Sequence, residues 1–334
     1  MIALDANGAD GGPGVVAAGA RESGERVLLF GPRDAIGPQE GRVEVVDAPE
    51  AIAAGSEPVR AVRSQPLASI VQAAAAVADG RAWALVSAGS TGPTLAAATL
   101  AIKRIRGVHR PALAVLLPVP ARPVLLLDAG ASVEARPEHL VQFAHMGAAF
   151  MRVVQGVERP RVGLLSVGEE AGKGTPEVLE AGERLTAADA GGLDYAGNLE
   201  GFDLAAGRAD VVVSDGFTGN VALKVLEGTS KTVSAAIRDA VRSGAVSSVG
   251  GLLIRGAVGR LGERLDPEAV GGAILLGLRR PVVVAHGSFG PRGIASAVSL
   301  ARRAVDEEMV QRTVEALQAA GALRSAPAGS VVES

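Results

Sequence analysis

The chain has 334 residues, 48% of them hydrophobic and 21% charged, and a formal net charge of −3. This length is sufficient to bury a large core, whereas the slightly acidic balance and the single Trp and Tyr argue against a nucleic-acid-binding protein, which normally carries a basic surface. Because the chain has no cysteine, disulfides, zinc–thiolate sites and a cysteine nucleophile are excluded.

The amino-terminal segment MIALDANGAD predicts a short apolar strand followed at once by acidic and glycine residues. It lacks the basic start and the long apolar core of an export signal. No uncharged apolar run reaches the roughly 18 to 20 residues that cross a bilayer, since AILLGLRRPVVVA is interrupted by Arg279 and Arg280. We therefore expect a cytoplasmic protein whose only contact with a membrane is peripheral.

One local pattern recurs along the chain: a short run of Val, Leu and Ala, a glycine-rich polar loop, and then a helical pattern. The four clearest loops span residues 87–93, 128–132, 166–174 and 214–220. Continuous apolar strands that alternate with helices predict an α/β protein with a largely parallel sheet covered on both faces. Loops at the carboxyl ends of such strands are expected to converge on one cleft.

The first of these loops, SAGSTGP, combines glycines with hydroxyl groups at the predicted start of a helix. Its candidate ligand-binding residues are Ser87, Gly89, Ser90, Thr91 and Gly92. A helix amino terminus with flanking hydroxyls favours an anion, but the same residues also suit a plain helix cap. The loop lacks the spacing of a nucleotide-binding P-loop.

The loop SVGEEAGKG places one lysine among three glycines after a predicted buried strand. Lys173 can reach a phosphate group as a point charge, and Gly168 and Glu169 are candidate neighbours in the site. The alternative is an ordinary solvated surface loop. Its position after a buried strand favours a functional role.

The loop after the strand VVV holds Asp215, Gly219, Asn220 and Lys224 within the stretch VVVSDGFTGNVALK. A functional interpretation has Asn220 bind an oxyanion while Asp215 orients a donor or accepts a proton. The alternative is a capped helix whose lysine points to water.

Among the four histidines, His139 and His145 lie on a predicted helix, and we expect them to be structural. His286 follows another apolar strand and is retained as a candidate substrate-binding residue. No metal site is predicted, because no His-x-x-x-His pair or aspartate-rich ligand cluster stands out. No cofactor motif is evident either.

The segment 249–265, VGGLLIRGAVGRLGERL, departs from the strand–loop–helix pattern. It predicts a glycine-rich helix with an apolar face and adjacent arginines, which suits a membrane interface, a dimer contact or a core helix. The apolar residues are Leu253, Ile254, Ala257, Val258, Leu261 and Leu265, and the arginines are Arg255, Arg260 and Arg264. Residues 1–324 are expected to form a single catalytic domain, with two lobes around one cleft as the alternative arrangement, and residues 325–334 a flexible tail.

Eight motifs in order along most of the chain resemble the bacterial phosphate acyltransferase family, which transfers a fatty acyl group from acyl carrier protein to inorganic phosphate. They are IALDANGAD, SAGSTG, RPALAVLLP, LLLDAGASVEARPEHLVQFAHMG, RVGLLSVGEEAGKG, YAGNLEGFD, ADVVVSDGFTGNVALKVLEG and VGGAILLGL with AHGS. The chain departs from the family pattern at 7–9, at Ser90, at 132–134 and at 289–292. These departures bear on the individual roles of Asn7, Ser90 and the loop after His286 more than on the family resemblance.

The resemblance implies a three-layer α/β/α fold like that of isocitrate and isopropylmalate dehydrogenases, with a helical excursion near 235–268. It also implies a homodimer in phospholipid biosynthesis whose acyl phosphate product passes to a membrane glycerol-3-phosphate acyltransferase. Docking of the acidic carrier protein on the arginines of segment 249–265 is a further candidate role of that helix.

For the acyl transfer that the resemblance implies, the candidates that hold the phosphate are Lys173, Ser90, Thr91 and Asn220. Backbone N–H groups near Gly89 or Gly219 are candidates for the tetrahedral oxyanion. Without a cysteine or a Gly-x-Ser-x-Gly elbow, direct attack of phosphate on the thioester is expected rather than an acyl-enzyme.

Two other functions remain open at this stage. A decarboxylating dehydrogenase of the same fold is suggested by AHGSFGPRGIASA, which resembles the nucleotide loop of that group, although Asp203, Asp210 and Asp215 do not show its Asp-x-x-x-Asp spacing. A non-catalytic scaffold that binds a carrier protein or a membrane is the other alternative.

Overall fold

The computed structural model describes residues 1–53, 55–119, 122–187 and 193–324. Within these residues eleven strands join one sheet. The strands are β1 Ile2–Asp5, β2 Val27–Gly31, β3 Val43–Asp47, β4 Ala84–Ser87, β5 Ala112–Leu117, β6 Val124–Leu127, β7 Arg161–Leu165, β8 Asp194–Leu199, β9 Val211–Val213, β10 Ala273–Leu276 and β11 Val282–Val284. Most consist of the apolar runs that were predicted as buried strands.

Helices connect these strands and cover both faces of the sheet. They are α1 Pro13–Glu22, α2 Arg33–Ile36, α3 Pro58–Ser64, α4 Ser69–Ala78, α5 Thr91–Ala101, α6 Pro137–Gln155, α7 Pro176–Ala187, α8 Asp203–Ala206, α9 Gly216–Arg242, α10 Ala245–Arg264, α11 Pro267–Val270, α12 Pro291–Asp306 and α13 Met309–Ala319. Helices α1, α6, α12 and α13 pack on one face of the sheet through one cluster of buried apolar side chains. Helices α4 and α5 pack on the other face through a second cluster. The three-layer α/β/α fold is therefore confirmed.

The strand order is β3-β2-β1-β4-β11-β10-β5-β6-β9-β7-β8. At one end of the sheet, the five strands β3, β2, β1, β4 and β11 are mutually parallel. At the other end, the four strands β6, β9, β7 and β8 are also mutually parallel. Between them, β10 pairs antiparallel with β11 and β5, and β5 pairs antiparallel with β6. The three antiparallel steps reverse the direction of the second parallel group with respect to the first.

This reversal divides the loops that follow the strands between two edges of the sheet. We call the edge that receives the carboxyl ends of β1, β4 and β11 the upper edge, and the edge that receives those of β6, β9 and β7 the lower edge. The lower edge also receives the amino end of β5, where Ala114 lies opposite Leu127. Each candidate site is therefore built from one set of neighbouring strands.

Helices α9 and α10 form a hairpin, which confirms both the predicted helical excursion and the predicted helix in segment 249–265. A Cβ atom on Gly251 would overlap the side chain of Val241, so the glycine permits the two helices to approach closely. The apolar side chains of α10 are exposed, with Leu253 at 82% and Leu261 at 47%. The core-helix alternative is therefore wrong, because this helix does not pack into the core.

None of the helices in the described part of the chain is both long and apolar enough to span a bilayer. The predicted flexible tail, 325–334, lies outside the described residues. The prediction that residues 1–324 form a single domain, with two lobes as the alternative arrangement, stays a prediction. All eleven described strands share one sheet.

Candidate functional site

The lower edge is organised around the buried carboxylate of Asp128, which follows β6. Its Oδ1 accepts hydrogen bonds from the backbone N–H groups of Leu113 (2.9 Å), Gly130 (3.1 Å) and Ala131 (2.8 Å), and its Oδ2 accepts one from that of Ser132 (2.8 Å). Burial raises the pKa of this carboxyl group, while the four N–H donors oppose that shift. Asp128 thus fixes the conformation of the loop 128–132 and ties it to β5.

The first turn of α9 packs directly on this loop, and two glycines make the contact possible. A Cβ on Gly216 would overlap the carbonyl oxygen of Ser132, and a Cβ on Gly219 would overlap the carbonyl oxygen of Asp128. The Ser214 N–H donates to the carbonyl of Leu127 over 2.7 Å. The glycines in SDGFTGN are therefore required by close packing of the helix on its neighbouring loop.

Asp215 and Lys224 have structural partners. The Asp215 carboxylate caps α9, accepting from the Thr218 N–H at 2.8 Å and from the Thr218 hydroxyl at 2.7 Å. The Lys224 ammonium lies 2.9 Å from Glu227, one turn further along. The structure thus favours the capping interpretation for Asp215 and a surface ion pair for Lys224.

Asn220 occupies the position on α9 that faces the lower-edge loops. It is exposed, and a Cβ on Gly130 would lie 3.5 Å from its Oδ1. Its amide therefore lies beside the loop that Asp128 holds. Among the predicted residues of this segment, Asn220 combines a fixed backbone with an accessible donor.

The loop after β7 lies next to this group, because β9 pairs with both β6 and β7. The Asn198 side chain holds the loop by donating to the carbonyls of Glu170 and Lys173, both at 2.9 Å. Glu169 is engaged in an ion pair with Arg208. Lys173 is exposed and forms no ion pair with another described residue.

Gly168 lies where this loop folds back on itself. A Cβ on Gly168 would lie 2.9 Å from Glu170 Oε2 and 3.2 Å from Lys173 Cγ. Both atoms belong to exposed, flexible side chains, so a larger residue at this position would require Glu170 and Lys173 to shift.

The upper edge contains a second buried carboxylate, Asp5 at the end of β1. It accepts hydrogen bonds from the hydroxyls of Ser69 (2.6 Å) and Ser87 (2.8 Å) and from the Asn7 N–H (3.2 Å). The Ser87 hydroxyl in turn accepts from the Gly89 N–H at 3.1 Å. Ser87 is fully buried, so it positions the loop and does not itself contact a ligand, in contrast to the prediction.

Three further upper-edge candidates, Ser90, Thr91 and Gly92, lie at the start of α5, and His286 follows β11. Ser90 occupies the N-cap position of α5 without a side-chain capping bond, and its hydroxyl is exposed. Thr91 and Gly92 form the first turn. His286 is exposed, and its Nδ1 lies 2.8 Å from the Ser288 hydroxyl.

Within a single chain, the structure does not bring all of these loops to one edge of the sheet. Four strand spacings separate β4, which Ser90 follows, from β6, whose following loop lies beside Asn220, or about 19 Å across the sheet. The two strands also run in opposite directions. A phosphate bound by Asn220 and Lys173 therefore cannot contact Ser90 or Thr91 of the same chain, and only a longer molecule can reach both edges.

Of the backbone N–H groups near Gly89 and Gly219 that are candidates for binding the oxyanion, those of the two glycines themselves are engaged within the fold. The Gly89 N–H donates to the Ser87 hydroxyl, and the Gly219 N–H donates to the Asp215 carbonyl at 3.0 Å as part of α9. Neither is available to a substrate in this conformation. Sequence patterns cannot reveal this, because they do not show which donors the fold itself satisfies.

His109, Glu138 and His139 bring three potential metal ligands within 4.8 Å of one another. The Nδ1 of His139 accepts the Arg136 N–H at 3.1 Å, which leaves the ring hydrogen on the other nitrogen. Burial chiefly, and nearby arginines in addition, lower the pKa of both histidines. The buried His145 has its pKa lowered to about 4 by burial, consistent with the expected structural role.

A cavity of about 850 Å³ lies away from these loops, between α12 and the carboxyl ends of α1 and α6. Arg122, Arg292 and Arg303 line it together with apolar side chains, and none of the predicted site residues does. It is therefore not the site to which the motifs point.

The residues that organise both edges were missed by sequence reasoning. Asp5 and Asp128 each follow a leucine at the end of an apolar strand, in the parallel sequences LDAN and LDAG. An acidic residue placed directly after a buried strand was the available signal. Asn198 gave no comparable signal, since its role depends on a contact with a distant loop.

Replacing Asp5 with asparagine is expected to change how stability depends on pH. Burial raises the pKa of Asp5 to about 6 from its ordinary 3.8, so the folded protein binds this proton more tightly than the unfolded chain does. As the pH rises from 4 to 7, wild type should therefore lose on the order of 2 kcal/mol more unfolding free energy than Asp5→Asn does. Urea unfolding at both pH values, with the exposed Asp10→Asn as control, measures it, and equal losses in wild type and Asp5→Asn would refute it.

Comparison with known proteins adds evidence from the whole chain. Residues 1–312 match a family described as fatty acid synthesis protein. The chain is 43% identical over 321 residues to the phosphate acyltransferase of Heliobacterium modesticaldum, covering 92% of this chain and 95% of the relative. It is 46% identical over 316 residues to that of Thermobifida fusca, covering 91% and 88%.

Solved structures support the fold. A phosphotransacetylase from Streptococcus pyogenes superposes with a TM-score of 0.62 at 19% identity, covering 92% of this chain and 94% of the other. A 4-hydroxythreonine-4-phosphate dehydrogenase from Klebsiella pneumoniae gives 0.53 at 15%, covering 91% and 99%. Both likenesses concern architecture alone. The sequence relationships, at over 40% identity along most of the chain, are the ones that place it: it belongs to the phosphate acyltransferase family.

Proposed function

We propose that the protein transfers an acyl group from acyl carrier protein to inorganic phosphate and that the lower edge is where this reaction occurs. The observation that carries the assignment is the placement of the accessible Asn220 amide, at the start of α9, and the Lys173 ammonium, in the loop that Asn198 holds, after the neighbouring strands β9 and β7. A positive charge and a fixed neutral donor on one edge suit a phosphate and the oxyanion that its attack creates. Membership of the phosphate acyltransferase family supports the same chemistry.

The reaction needs little proton transfer at the enzyme. An oxygen of hydrogen phosphate attacks the thioester carbonyl carbon, a C–O bond forms, and the carbonyl oxygen becomes a tetrahedral oxyanion. The C–S bond then breaks, and the proton of the phosphate passes to the departing thiolate, giving acyl phosphate and the free carrier thiol. Lys173 offsets the phosphate charge and the Asn220 amide donates to the oxyanion, so positioning and charge stabilisation are the main contributions.

The most direct functional test is incubation of the protein with palmitoyl carrier protein and phosphate, followed by trapping with hydroxylamine. The expected product is the palmitoyl hydroxamate in an amount equal to the carrier protein released. A protein that binds the carrier but forms no hydroxamate would instead support a non-catalytic scaffold.

Replacing Lys173 with alanine is expected to raise the KM for phosphate roughly tenfold, because a charged contact to the substrate is lost. Its side chain is exposed and carries little packing, so unfolding by urea should be unchanged. The matched control is Lys231→Ala, an exposed lysine on α9 away from the loops. An unaltered KM for phosphate would remove Lys173 from the site.

We further propose that the product is released at a membrane surface as a substrate for a glycerol-3-phosphate acyltransferase in phospholipid synthesis. An acyl phosphate is reactive and its chain is poorly soluble in water. The exposed hairpin of α9 and α10 offers Leu253 and Leu261 with Arg255 and Arg260 nearby, a combination that suits an anionic lipid interface. A cytoplasmic homodimer, as the family resemblance implies, is part of the same proposal.

Anionic liposomes provide the test of this surface. Wild type is expected to sediment with them, and the Leu253→Glu, Leu261→Glu double variant to stay in the supernatant as an unchanged dimer. If the variant becomes monomeric while lipid binding persists, the hairpin is a subunit contact and the membrane assignment is wrong.

A further inference from the structure

The lower edge of the sheet continues into a compact, strongly cationic surface. Its charges lie in the segment KRIRGVHR between α5 and β5 and in the Arg-Arg pair before β11. We call it the basic edge, and it consists of Lys103, Arg104, Arg106, Arg110, Arg279 and Arg280, all exposed. It stands out because the whole chain has a net charge of −3.

Backbone contacts hold these two segments side by side. The Arg279 N–H donates to the carbonyl of Lys103 at 3.0 Å, and the Ile105 N–H donates to that of Gly277 at 2.9 Å. Ile105 and Val108 are buried and anchor the segment to the core. The charges are therefore presented on a fixed backbone, which lowers the entropic cost of binding a partner.

The cationic groups have no acidic partner in the described part of the chain. None of the six forms an ion pair with another described residue. Arg104 and Arg279 donate to the carbonyls of His109 and Arg104, and Arg280 stacks 5.1 Å above the half-exposed Trp83 ring. Bonds to neutral groups leave the charge uncompensated, so the surface attracts an anionic partner.

The basic edge lies beside the candidate site. Arg110 lies two residues before the start of β5. In that strand, the Leu113 N–H donates to Asp128 and the Leu113 carbonyl accepts the Ala129 N–H at 2.8 Å. Asn220 at the start of α9 and the loop that carries Lys173 follow β9 and β7, which lie beyond β6 along the same edge. A protein docked on the basic edge would therefore hold a thioester on a flexible arm within reach of those loops.

We propose that the basic edge is the docking surface for the acidic carrier protein that delivers the acyl group, a proposal that rests on the function proposed above. Charge complementarity accelerates the encounter and selects against basic or neutral partners. Because the phosphate also binds at the lower edge, docking there places donor and acceptor together. This assignment differs from docking through the arginines of α10.

The test compares two pairs of arginine-to-glutamate substitutions. Arg106→Glu with Arg110→Glu alters the basic edge, and Arg255→Glu with Arg260→Glu makes the same charge change on exposed residues of α10. Fluorescence titration with palmitoyl carrier protein at about 50 mM salt measures binding directly. We expect the first pair to weaken binding by about tenfold or more, with a smaller difference at high salt, and the second pair to have no effect.

A small palmitoyl thioester lacking the carrier protein separates docking from chemistry. The first pair should turn it over at the wild-type rate while its KM for the carrier-bound donor rises about tenfold. Loss of carrier binding only in the α10 pair, or binding of duplex DNA in preference to carrier protein, would overturn the proposal. Because the titration does not require turnover, it decides the docking surface even if wild type converts neither donor, a result that would refute the proposed function.

Discussion

Replacing Asn220 with alanine is expected to lower the rate of acyl transfer on the order of 10²-fold, the usual effect of removing one positioned donor to a developing oxyanion. The residue is exposed on the second turn of α9, so its removal creates no cavity and leaves the helix cap at Asp215 intact. Because Gly89 and Gly219 donate within the fold, no backbone donor of these two residues compensates for the lost amide.

The measurement is kcat with saturating phosphate and acyl carrier protein, together with urea unfolding. Lys224→Ala is the matched control, since Lys224 lies one turn further along α9 and pairs with Glu227. It should retain wild-type kcat. If Asn220→Ala instead loses folding free energy in proportion to its activity, Asn220 has a structural role and the oxyanion assignment is wrong.

Replacing Gly219 with alanine is expected to lower the free energy of unfolding by about 3 kcal/mol. The added methyl group would overlap the carbonyl of Asp128 and lie 2.6 Å from the Ser214 hydroxyl, and backbone atoms cannot turn aside as a side chain can. The start of α9 would have to move away from the loop 128–132. That displacement would also shift Asn220, so activity should fall with stability.

The same helix provides the control. Gly228 lies in the middle of α9, and a Cβ placed there would meet no atom within 4 Å. Gly228→Ala should therefore stabilise the protein by up to about 1 kcal/mol, because alanine favours the helix over the unfolded chain. Equal destabilisation by both substitutions would show that close packing at Gly219 does not explain its identity.

Much of the fold could be predicted from local sequence. Apolar runs such as LLL before Asp128 and VVV before Ser214 form buried strands, and the glycine-rich loops follow them as expected. The direction of the strands could not be predicted. The reversal depends on β10 and β5 pairing antiparallel in the middle of the sheet, a long-range pairing that no local period reveals.

Long-range strand pairing also limits how much of the candidate site could be predicted. Asn220 at the start of α9 and Lys173 in the loop after β7 follow neighbouring strands, whereas Ser90 and Thr91 belong to the opposite edge. Asp215 and Ser87 have the residue types of active-site groups but are engaged by Thr218 and Asp5. Whether a polar side chain is available to a ligand depends on its folded neighbours, which the sequence alone does not show.

Direct transfer requires that phosphate itself accepts the acyl group. The most direct measurement mixes excess enzyme with palmitoyl carrier protein and follows carrier thiol release and acyl phosphate formation in a single turnover, with and without phosphate. We predict one acyl phosphate per thiol released, no thiol release without phosphate, and no acyl group attached to the enzyme. Thiol release at the same rate without phosphate, or an acyl-enzyme that forms before phosphate is added, would contradict direct transfer at the lower edge.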